Sequence, residues 1–344
     1  MAPPAPDEHG PRKAATRLRD VAEAAGVDTS IASRILSGDG ALTVRPETRR
    51  RVLEAASRLA YRPNTAARAL KTRKTMAIGM IVPELTNVAY ATIALGADDR
   101  ASRAGYALLV ATGSVRDRLD AIDGRIDGLL VGIATSETIR IGDLGGPLPT
   151  VLVNRHELIG LPSVTVDDEA GAGLATEHLL SLGHRHIGHV AGPQNSDTGR
   201  RRLAGYVAAM RAAGIEPEAD WMEEASYDEA GGELAATRLL RSSSRPTALF
   251  VANIRAAIGT LAAARRLGLS VPRDLSLVGF HDAPVAMYLE PELTTVKMPL
   301  REMGSAAVDS LLALLDGRAV ENVQVATPPE LVVRNSTAPP PAPR

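Results

Sequence analysis

Five polar residues, Asp28, Thr29, Ser30, Ser33 and Arg34, lie close together in the sequence between positions 28 and 34. Thr29, Ser30 and Ser33 carry small hydroxyl groups and Arg34 carries a guanidinium group, all on one face of a predicted helix. Hydroxyls near a helix N-terminus can bond to base edges, and an arginine can bind guanine or phosphate. Asp28 is a good N-cap, because its carboxylate accepts from the exposed N–H groups of a new helix. This group suits contact with the major groove, and the alternative is an ordinary solvated face.

Two short helices joined by a glycine turn would position this polar face. Glycine readily takes the positive φ that a sharp turn needs, and Gly26 interrupts the apolar pattern. The apolar positions are Leu18, Val21, Ala22 and Ala25 in the first helix and Ile31, Ala32 and Ile35 in the second. This spacing predicts a helix-turn-helix, whose second helix enters the major groove, although a plain helical hairpin has the same spacing.

The charge of the 344-residue chain is unevenly distributed. Residues 12–74 contain 15 Lys and Arg against 6 Asp and Glu, whereas residues 75–344 contain 24 against 32. A basic head on an acidic body is typical of a nucleic-acid binder with a second module of another kind. Residues 1–15 are rich in Pro and Ala, and we expect them to form a disordered tail.

Two more helices are expected before the acidic body begins. Pro46 suits the first turn of a third helix that runs to about Ala60. Pro63 interrupts the pattern, and Asn64 can cap a helix of about two turns. Such a short helix is marginal alone in water, because nucleation costs more than two turns return. We therefore expect it to form only against a partner.

From Thr75 onward, apolar strands alternate with amphipathic helices. Strands are predicted at 76–82, 106–112, 127–133, 150–154, 186–192, just before Tyr227, and at 247–253, 275–280 and 293–297. Helices are predicted between the first two strands to about 103, and at 168–182, 200–213, 228–241, 255–267 and 300–316. This alternation is typical of parallel sheets covered by helices on both faces, here in two α/β lobes.

Several classes of function find no support in the composition. Cysteine is absent, which excludes disulfides and thiolate chemistry and agrees with a cytoplasmic location. The N-terminus lacks the apolar stretch of a secretory signal, and no run reaches the roughly 18 apolar residues of a membrane helix. There is no nucleophile elbow, P-loop or metal-hydrolase motif, so we expect neither an enzyme nor a cofactor. His184, His186 and His189 have no acidic or thiol ligand at metal spacing, which favours structural or surface roles over zinc.

Eight segments, in this order and at these spacings, make the chain resemble the LacI/GalR family of bacterial transcription regulators. They are DVAEAAGV, SRIL, ETRRRVLEAA, YRPNTAARAL, TEHLLSLGHRHIGHVAGP, RRRLAGYVAAM, VPRDLSLVGF and LTTVKMPLREMG. The resemblance covers about residues 16–337. It implies a small all-α helix-turn-helix head at 16–60, a hinge helix or linker at 61–74, and an α/β two-lobed, periplasmic-binding-protein-like core at 75–336. The Pro-rich end, 337–344, is expected to be a tail without the leucine heptads that make some members tetramers.

The resemblance also implies a second contact with DNA. In the family, the hinge helix orders on operator DNA and wedges a leucine into the minor groove, and Leu70 matches that leucine. Asn64, Thr65 and Ala67 lie in the same segment and are expected to contact DNA with it.

The cleft between the lobes is expected to bind a small metabolite, a sugar or a related compound, since open α/β sheets bind ligands at the carboxyl ends of their strands. The positions that match the family's effector contacts are Tyr90, Asn154, Arg155, Arg202, Tyr227, Asn253 and His281. Both tyrosines match aromatics that face the ligand, and Arg202 matches an arginine that ligates it. Core or surface roles are the alternatives for the tyrosines, and a surface charge is the alternative for Arg155.

This sequence departs from the family pattern at three places. Ile254 and His281 stand where the family often has aspartates, and the loss of two acceptors disfavours a simple hexose. Because histidine titrates near neutral pH, we expect effector affinity to depend on pH between about 5.5 and 7.5, with an anionic or carbonyl-bearing ligand binding better as His281 gains its proton. The segment after Thr112 is also shorter than the family's second helix, by roughly two turns.

The sequence therefore predicts a DNA-binding transcription regulator, a repressor and homodimer that binds a pseudo-palindromic operator and responds to an effector. One alternative is a sugar-binding protein without a regulatory role on DNA. It is disfavoured by the basic head and by the lack of an export signal. Another is an enzyme that uses the cleft, for which no catalytic group of residues is present.

Overall fold

The computed structural model describes residues 16–37, 41–61, 74–122, 124–132, 148–156 and 160–341. They form two compact units, which divide between Thr75 and Met76. Most of the predicted hinge, residues 62–73, lies outside the described residues.

Within its described residues, the N-terminal unit packs three helices around a small apolar core. The helices are α1 (Leu18–Ala25), α2 (Thr29–Leu36) and α3 (Pro46–Arg58). Val21, Ala32 and Val52 are completely buried where the helices meet. Gly26 ends α1 in the left-handed conformation, with φ 62°, so the predicted glycine turn is present. The Thr16 hydroxyl donates to the Leu59 carbonyl at 2.9 Å and ties the two ends of the unit together.

The second unit contains twelve strands and seven α-helices among its described residues, and most agree with the predicted bounds to within a few residues. The strands are β1 (Ala77–Val82), β2 (Ala107–Thr112), β3 (Gly128–Val131), β4 (Thr150–Val153), β5 (Ser163–Thr165), β6 (Ile187–Ala191), β7 (Met222–Glu224), β8 (Ala248–Val251), β9 (Ser276–Phe280), β10 (Thr294–Lys297), β11 (Val323–Gln324) and β12 (Glu330–Val332). The helices are α4 (Val88–Arg103), α5 (Val115–Ile122), α6 (Asp168–Ser181), α7 (Asp197–Ala212), α8 (Glu229–Arg241), α9 (Ile254–Arg266) and α10 (Leu300–Leu315). Strands β5, β11 and β12 and the eight-residue α5 were not predicted.

The strands form two six-stranded sheets. The first lobe has the order β11-β5-β4-β3-β1-β2 and is parallel throughout. The second lobe has the order β12-β10-β9-β8-β6-β7, in which only the edge strand β12 is antiparallel. Strands β1, β3, β4, β6, β8 and β9 are buried along their whole length, as expected for sheets covered on both faces.

The described chain crosses between the lobes three times. Strand β5 of the first lobe leads into α6, which packs on β9 and β10 of the second lobe. Strand β10 leads into α10, which packs on α4 and on β3 to β5 of the first lobe. Strand β11 completes the first sheet, and β12 then returns to the second. Each lobe is therefore assembled from separate parts of the chain.

Close helix pairs cover the sheets, and glycines lie at their contacts. Gly96 of α4 faces the Arg301 carbonyl of α10, and Gly304 of α10 faces the Ile93 carbonyl of α4. A Cβ atom at either glycine would overlap the opposing backbone. The α8–α9 pair has the same arrangement at Gly232. The absence of a side chain allows these helices to approach closely.

The ordered core extends beyond residue 336, the predicted boundary of the C-terminal tail. The Ala338 N–H donates to Ser276 Oγ at 3.0 Å, and the Ala338 carbonyl accepts from the same hydroxyl at 2.9 Å. His184 Nε2 lies 2.9 Å from this carbonyl. The segment after Ser336 is thus bound to the second lobe, because its backbone satisfies buried polar groups beside β9. Among the described residues, no helix is long and apolar enough to cross a membrane.

Candidate functional site

The polar face predicted to read DNA lies on α2. The Asp28 carboxylate accepts from the Ser30 N–H at 2.7 Å, so its predicted capping role is confirmed. Hydrogen bonds from the Ser30 side chain and backbone lower the pKa of Asp28, which keeps the cap ionised. Thr29, Ser30 and Arg34 are exposed, and Ser33 is half-buried. The second predicted set, Asn64, Thr65, Ala67 and Leu70, lies outside the described residues.

The predicted effector residues lie at the carboxyl ends of parallel strands. Asn154 and Arg155 follow β4, Asn253 follows β8, His281 follows β9, and Tyr227 follows β7; Tyr90 and Arg202 lie in α4 and α7, the helices after β1 and β6. All are buried except Tyr227, which is half-buried. In the first lobe, the Tyr90 hydroxyl and Arg155 Nε donate to the same acceptor, the Gly132 carbonyl, at 3.0 and 3.2 Å.

Arg202 is the centre of a buried network in the second lobe. It is 2% exposed, and its Nε donates to Asp168 Oδ1 at 2.8 Å. Its Nη1 donates to the Ala252 carbonyl at 2.8 Å, and its Nη2 lies 3.2 Å from His281 Nε2. Burial is the largest single influence and lowers the pKa of Arg202, but the charge and hydrogen bond of Asp168, together with Tyr227 and Tyr90, raise the pKa overall. The guanidinium therefore remains charged and is held in one orientation.

His281 is neutral in this network, which argues against the expected gain of a proton near neutral pH in the free protein. Burial, and then the charge of Arg202, hold the pKa of His281 well below its ordinary value. A guanidinium has only donors, so His281 Nε2 must accept from Arg202 and the proton must lie on Nδ1. A second proton would place an uncompensated positive charge beside a buried arginine.

Asn253 and Tyr227 also have partners within the protein. Asn253 Oδ1 caps α9 by accepting from the N–H groups of Arg255 and Ala256, so its position has a structural role. The Tyr227 hydroxyl lies 3.1 Å from the Thr198 hydroxyl. The Tyr227 ring lies 5.7 Å from the Arg202 guanidinium carbon, within cation–π range.

Two contacts between polar side chains join the lobes and were missed from the sequence. Arg255 of α9 donates through Nη1 to Glu84 Oε1, in the loop after β1, at 2.7 Å. Its Nε and Nη2 donate to Glu229 of its own lobe at 2.9 and 2.7 Å. His156, after β4, places Nδ1 3.4 Å from Asp197 Oδ2 at the start of α7. These contacts bring the carboxyl ends of the two sheets together.

Asp168 was also missed. It is fully buried and pairs with both Arg201, at 2.9 Å, and Arg202, at 2.8 Å. An aspartate in the first turn of a predicted helix is common near N-termini, so no pattern marked it as the counter-ion of a residue 34 positions later.

The three histidines considered for metal binding have packing and hydrogen-bond partners. His184 Nδ1 lies 2.8 Å from the Thr247 hydroxyl. His186 contacts Trp221, with ring centroids 4.3 Å apart. His189 stacks on Phe250, with centroids 4.6 Å apart, and its Nδ1 lies 3.0 Å from the Phe250 carbonyl. No group of metal ligands occurs within the ranges that the structure describes.

Comparison with known protein families gives separate matches for the head and for the core. Residues 17–64 match the bacterial regulatory proteins of the lacI family, and residues 176–337 match the periplasmic binding protein-like domain. The chain is 35% identical to the HTH-type transcriptional regulator reg1 of Streptomyces lividans, over 96% of this chain and 99% of that protein. It is 32% identical to the ribose operon repressor of Haemophilus influenzae, over 93% of this chain and 98% of the repressor.

Solved structures give the same result for the fold. The lac repressor dimer bound to operator and the anti-inducer ONPF is 30% identical and has a TM-score of 0.80, over 94% of this chain and 99% of that chain. The regulator CelR in complex with cellobiose is also 30% identical and has a TM-score of 0.71, over 93% of this chain and 99% of that chain.

A helix-turn-helix head followed by a two-lobed, periplasmic-binding-protein-like core defines a class of DNA-binding regulators. The chain belongs to the lacI family of bacterial regulatory proteins. The predicted resemblance and fold class are confirmed, and the family is one of transcription regulators rather than enzymes.

Proposed function

We propose that this chain is a cytoplasmic, non-enzymatic homodimeric repressor that binds a pseudo-palindromic operator and is controlled by a metabolite in the cleft. The observation that carries the proposal is the polar face of α2, which begins at an Asp28-capped N-terminus and exposes Thr29, Ser30 and Arg34. The basic charge of residues 12–74 supports a DNA partner. The operator complex of the related lac repressor points the same way.

An apolar surface on the first lobe supports the homodimer. Strand β2 lies at the edge of its sheet, and Leu109 and Val110 are 42% and 39% exposed there. Leu95 of α4 is 54% exposed. Large exposed apolar side chains beside an unpaired strand edge favour association with a second copy. Sedimentation should give twice the chain mass, and Leu109→Asp should reduce it to the mass of one chain.

The effector would act on the spacing of two DNA-binding heads. Each first lobe continues at Thr75 into the predicted hinge, so a change between the lobes can alter how two hinges meet on DNA. The residues proposed to contact the effector are Tyr90, Asn154, Arg155, Arg202, Tyr227, Asn253 and His281. Leu70 would wedge into the minor groove when the hinge helix forms.

Selection of bound sequences from a random DNA pool, followed by titration of the selected operator, tests DNA recognition. Arg34→Ala should weaken operator binding by roughly 1–3 kcal/mol and relax one base preference if Arg34 reads a guanine. If Arg34 contacts phosphate alone, affinity should fall equally on all sequences and the salt slope should shrink by about one. Arg318→Ala, which removes an exposed side chain of the two-lobed unit, is the control.

Unchanged operator affinity in Arg34→Ala would contradict the proposed contact, and failure to select any sequence would contradict the proposed function. Leu70→Ala gives a separate test, since it should spare non-specific binding and weaken operator binding. Equal losses on both kinds of DNA would exclude the wedge.

A further inference from the structure

Two residues, one in each lobe, combine an unusual backbone conformation, burial and an unpaired polar atom. Asn154 ends β4 with φ 62° and is 3% exposed, and its Oδ1 has no hydrogen-bond partner among the described residues. His281 ends β9 with φ 70° and is also 3% exposed; within the same described ranges its Nδ1 has no partner. Non-glycine residues in the left-handed region and buried polar atoms without a partner are both uncommon, and a bound ligand is one physical reason for each.

The two unpaired atoms have opposite hydrogen-bonding roles. Asn154 Oδ1 is an acceptor. His281 Nδ1 carries the imidazole proton and is a donor, because Nε2 accepts from Arg202. One lobe therefore requires a donor from a partner, and the other requires an acceptor.

Both atoms belong to residues at the carboxyl ends of parallel strands, the edge at which α/β sheets bind ligands. The Arg255–Glu84 and His156–Asp197 contacts bring these edges of the two lobes together. A small molecule between the lobes could satisfy Asn154 and His281 at the same time.

The donors around His281 favour an acceptor with negative charge. The contacts of Arg202 use three of the five N–H groups of its guanidinium, and its Nη2 lies beside His281. Ile254 is completely buried in the apolar core of the second lobe and offers no acceptor. Asp168 forms ion pairs with Arg201 and Arg202, so its Oδ2, which makes no hydrogen bond among the described residues, already lies 2.9 Å from the charge of Arg201. The hydroxyl protons of a neutral hexose would find few acceptors on this side of the cleft.

We propose that the effector is a hydroxylated carboxylate, such as a sugar acid, that bridges the lobes. Its carboxylate accepts from His281 Nδ1–H, and one of its hydroxyls donates to Asn154 Oδ1. The proposal rests on the proposed function, in which the cleft binds the effector, and it adds the chemical class of that effector.

The position of the histidine proton can be measured without any ligand. In protein labelled with ¹⁵N-histidine, long-range ¹H–¹⁵N spectra distinguish the two neutral tautomers, and the His281 signals are assigned by their loss in His281→Asn. We expect the Nδ1–H tautomer at pH 7. The Nε2–H tautomer, or a doubly protonated ring, would overturn the proposal.

Matched pairs of neutral sugar and sugar acid test the ligand class by calorimetry. The probes are D-glucose with D-gluconate and with D-glucuronate, and D-galactose with D-galacturonate. We expect at least one acid to bind tenfold or more tightly than its neutral partner. His281→Asn keeps a donor and should retain this preference, whereas His281→Asp replaces the donor with an acceptor and should abolish or reverse it. His186→Asp, before β6 at the opposite end of the sheet, should leave the preference unchanged.

Tighter binding of a neutral sugar, or no binding of any acid, would overturn the proposal. So would an acid preference that His281→Asp leaves intact. Operator binding, measured in parallel, distinguishes failure of this inference from failure of the proposed function. If the protein binds operator but no sugar acid, only this inference is contradicted. If it binds no operator, the proposed function is contradicted.

Discussion

At the scale of single residues, Arg202 has a structural role in addition to the ligand contact that the sequence implied. Its charge is neutralised by Asp168 inside the second lobe, and both side chains are almost inaccessible to water. Removal of one partner from a buried ion pair leaves the other charge without compensation. Variants at Arg202 therefore affect folding as well as any ligand response, and Arg202→Ala alone cannot isolate effector binding.

The Asp168–Arg202 pair can be tested by replacing its aspartate. We expect Asp168→Asn to lower the free energy of unfolding by on the order of 3–5 kcal/mol, because Arg202 would remain buried without a counter-charge. Urea titration measures this loss. Asp99→Asn, which removes an exposed partner of Arg301, should change stability by less than about 1 kcal/mol. Equal effects of the two substitutions would contradict the role of Asp168.

A second buried residue, His189, should make the free energy of unfolding depend on pH. Burial lowers the pKa of His189 to about 4, so the folded chain resists a proton that the unfolded chain accepts near pH 6.5. The stability associated with neutral His189 is complete above pH 6.5 and is lost as pH falls to about 4. One pKa unit corresponds to about 1.4 kcal/mol, so the total loss is about 3 kcal/mol.

Urea titrations between about pH 4.5 and 7.5 measure this dependence. His189→Gln, which cannot titrate, should have a shallower slope than the wild type, although other buried histidines retain some slope. Parallel curves for wild type and His189→Gln would exclude His189 as a source of the acid sensitivity.

At the scale of elements, the glycine contacts between α4 and α10 hold the first lobe together. Gly96→Ala should destabilise the protein by roughly 1–3 kcal/mol, since the new methyl group would overlap the backbone of Arg301. Gly173→Ala in α6 is the matched control, because its new methyl group would have no neighbouring atom within 4 Å among the described residues. That control should gain roughly 0.5–1 kcal/mol from helix propensity. A higher melting temperature for Gly96→Ala than for Gly173→Ala would show that α4 and α10 do not pack this closely.

Elements were predictable from the sequence where their patterns were long. Strands β1 and β9 are continuous apolar runs, and the Gly26 turn and the Asp28 cap defined both ends of the connection between α1 and α2. Strands β5 and β11 contain only three and two residues, too few for periodicity to be detected.

The candidate site was predictable only in part. The carboxyl ends of the strands located its residues, but the Asp168–Arg202 pair and the Arg255–Glu84 contact join positions far apart in the chain. No local pattern encodes such pairs. The proton position on His281 depends on its contact with Arg202, so its pKa could not be inferred from residue type alone.

At the scale of the whole second unit, Arg255 connects the two lobes. Because the Glu84 side chain is 45% exposed, the contact is worth up to about 1 kcal/mol, enough to change the ratio of closed to open forms by roughly fivefold. Arg255→Met should therefore increase the open fraction. Since the chain has no cysteine, two introduced cysteines can carry dyes on the two lobes for energy-transfer measurements.

The control for this measurement is Arg266→Met, on the same helix, which removes a pair with Glu233 inside the second lobe. It should leave the distance between the dyes unchanged. The same increase in distance for both variants would indicate damage to α9 rather than loss of the contact between lobes.

The three crossings between the lobes also determine when each part can fold during synthesis. The three helices of the N-terminal unit are contiguous and leave the ribosome first, so that unit can fold early. The covering of the first sheet is completed only when α10 has been made, some 135 residues after β5. Until then the apolar faces of β3, β4 and β5 lack their partner helix. During translation of the second lobe, the nascent first lobe therefore exposes apolar surface that favours aggregation.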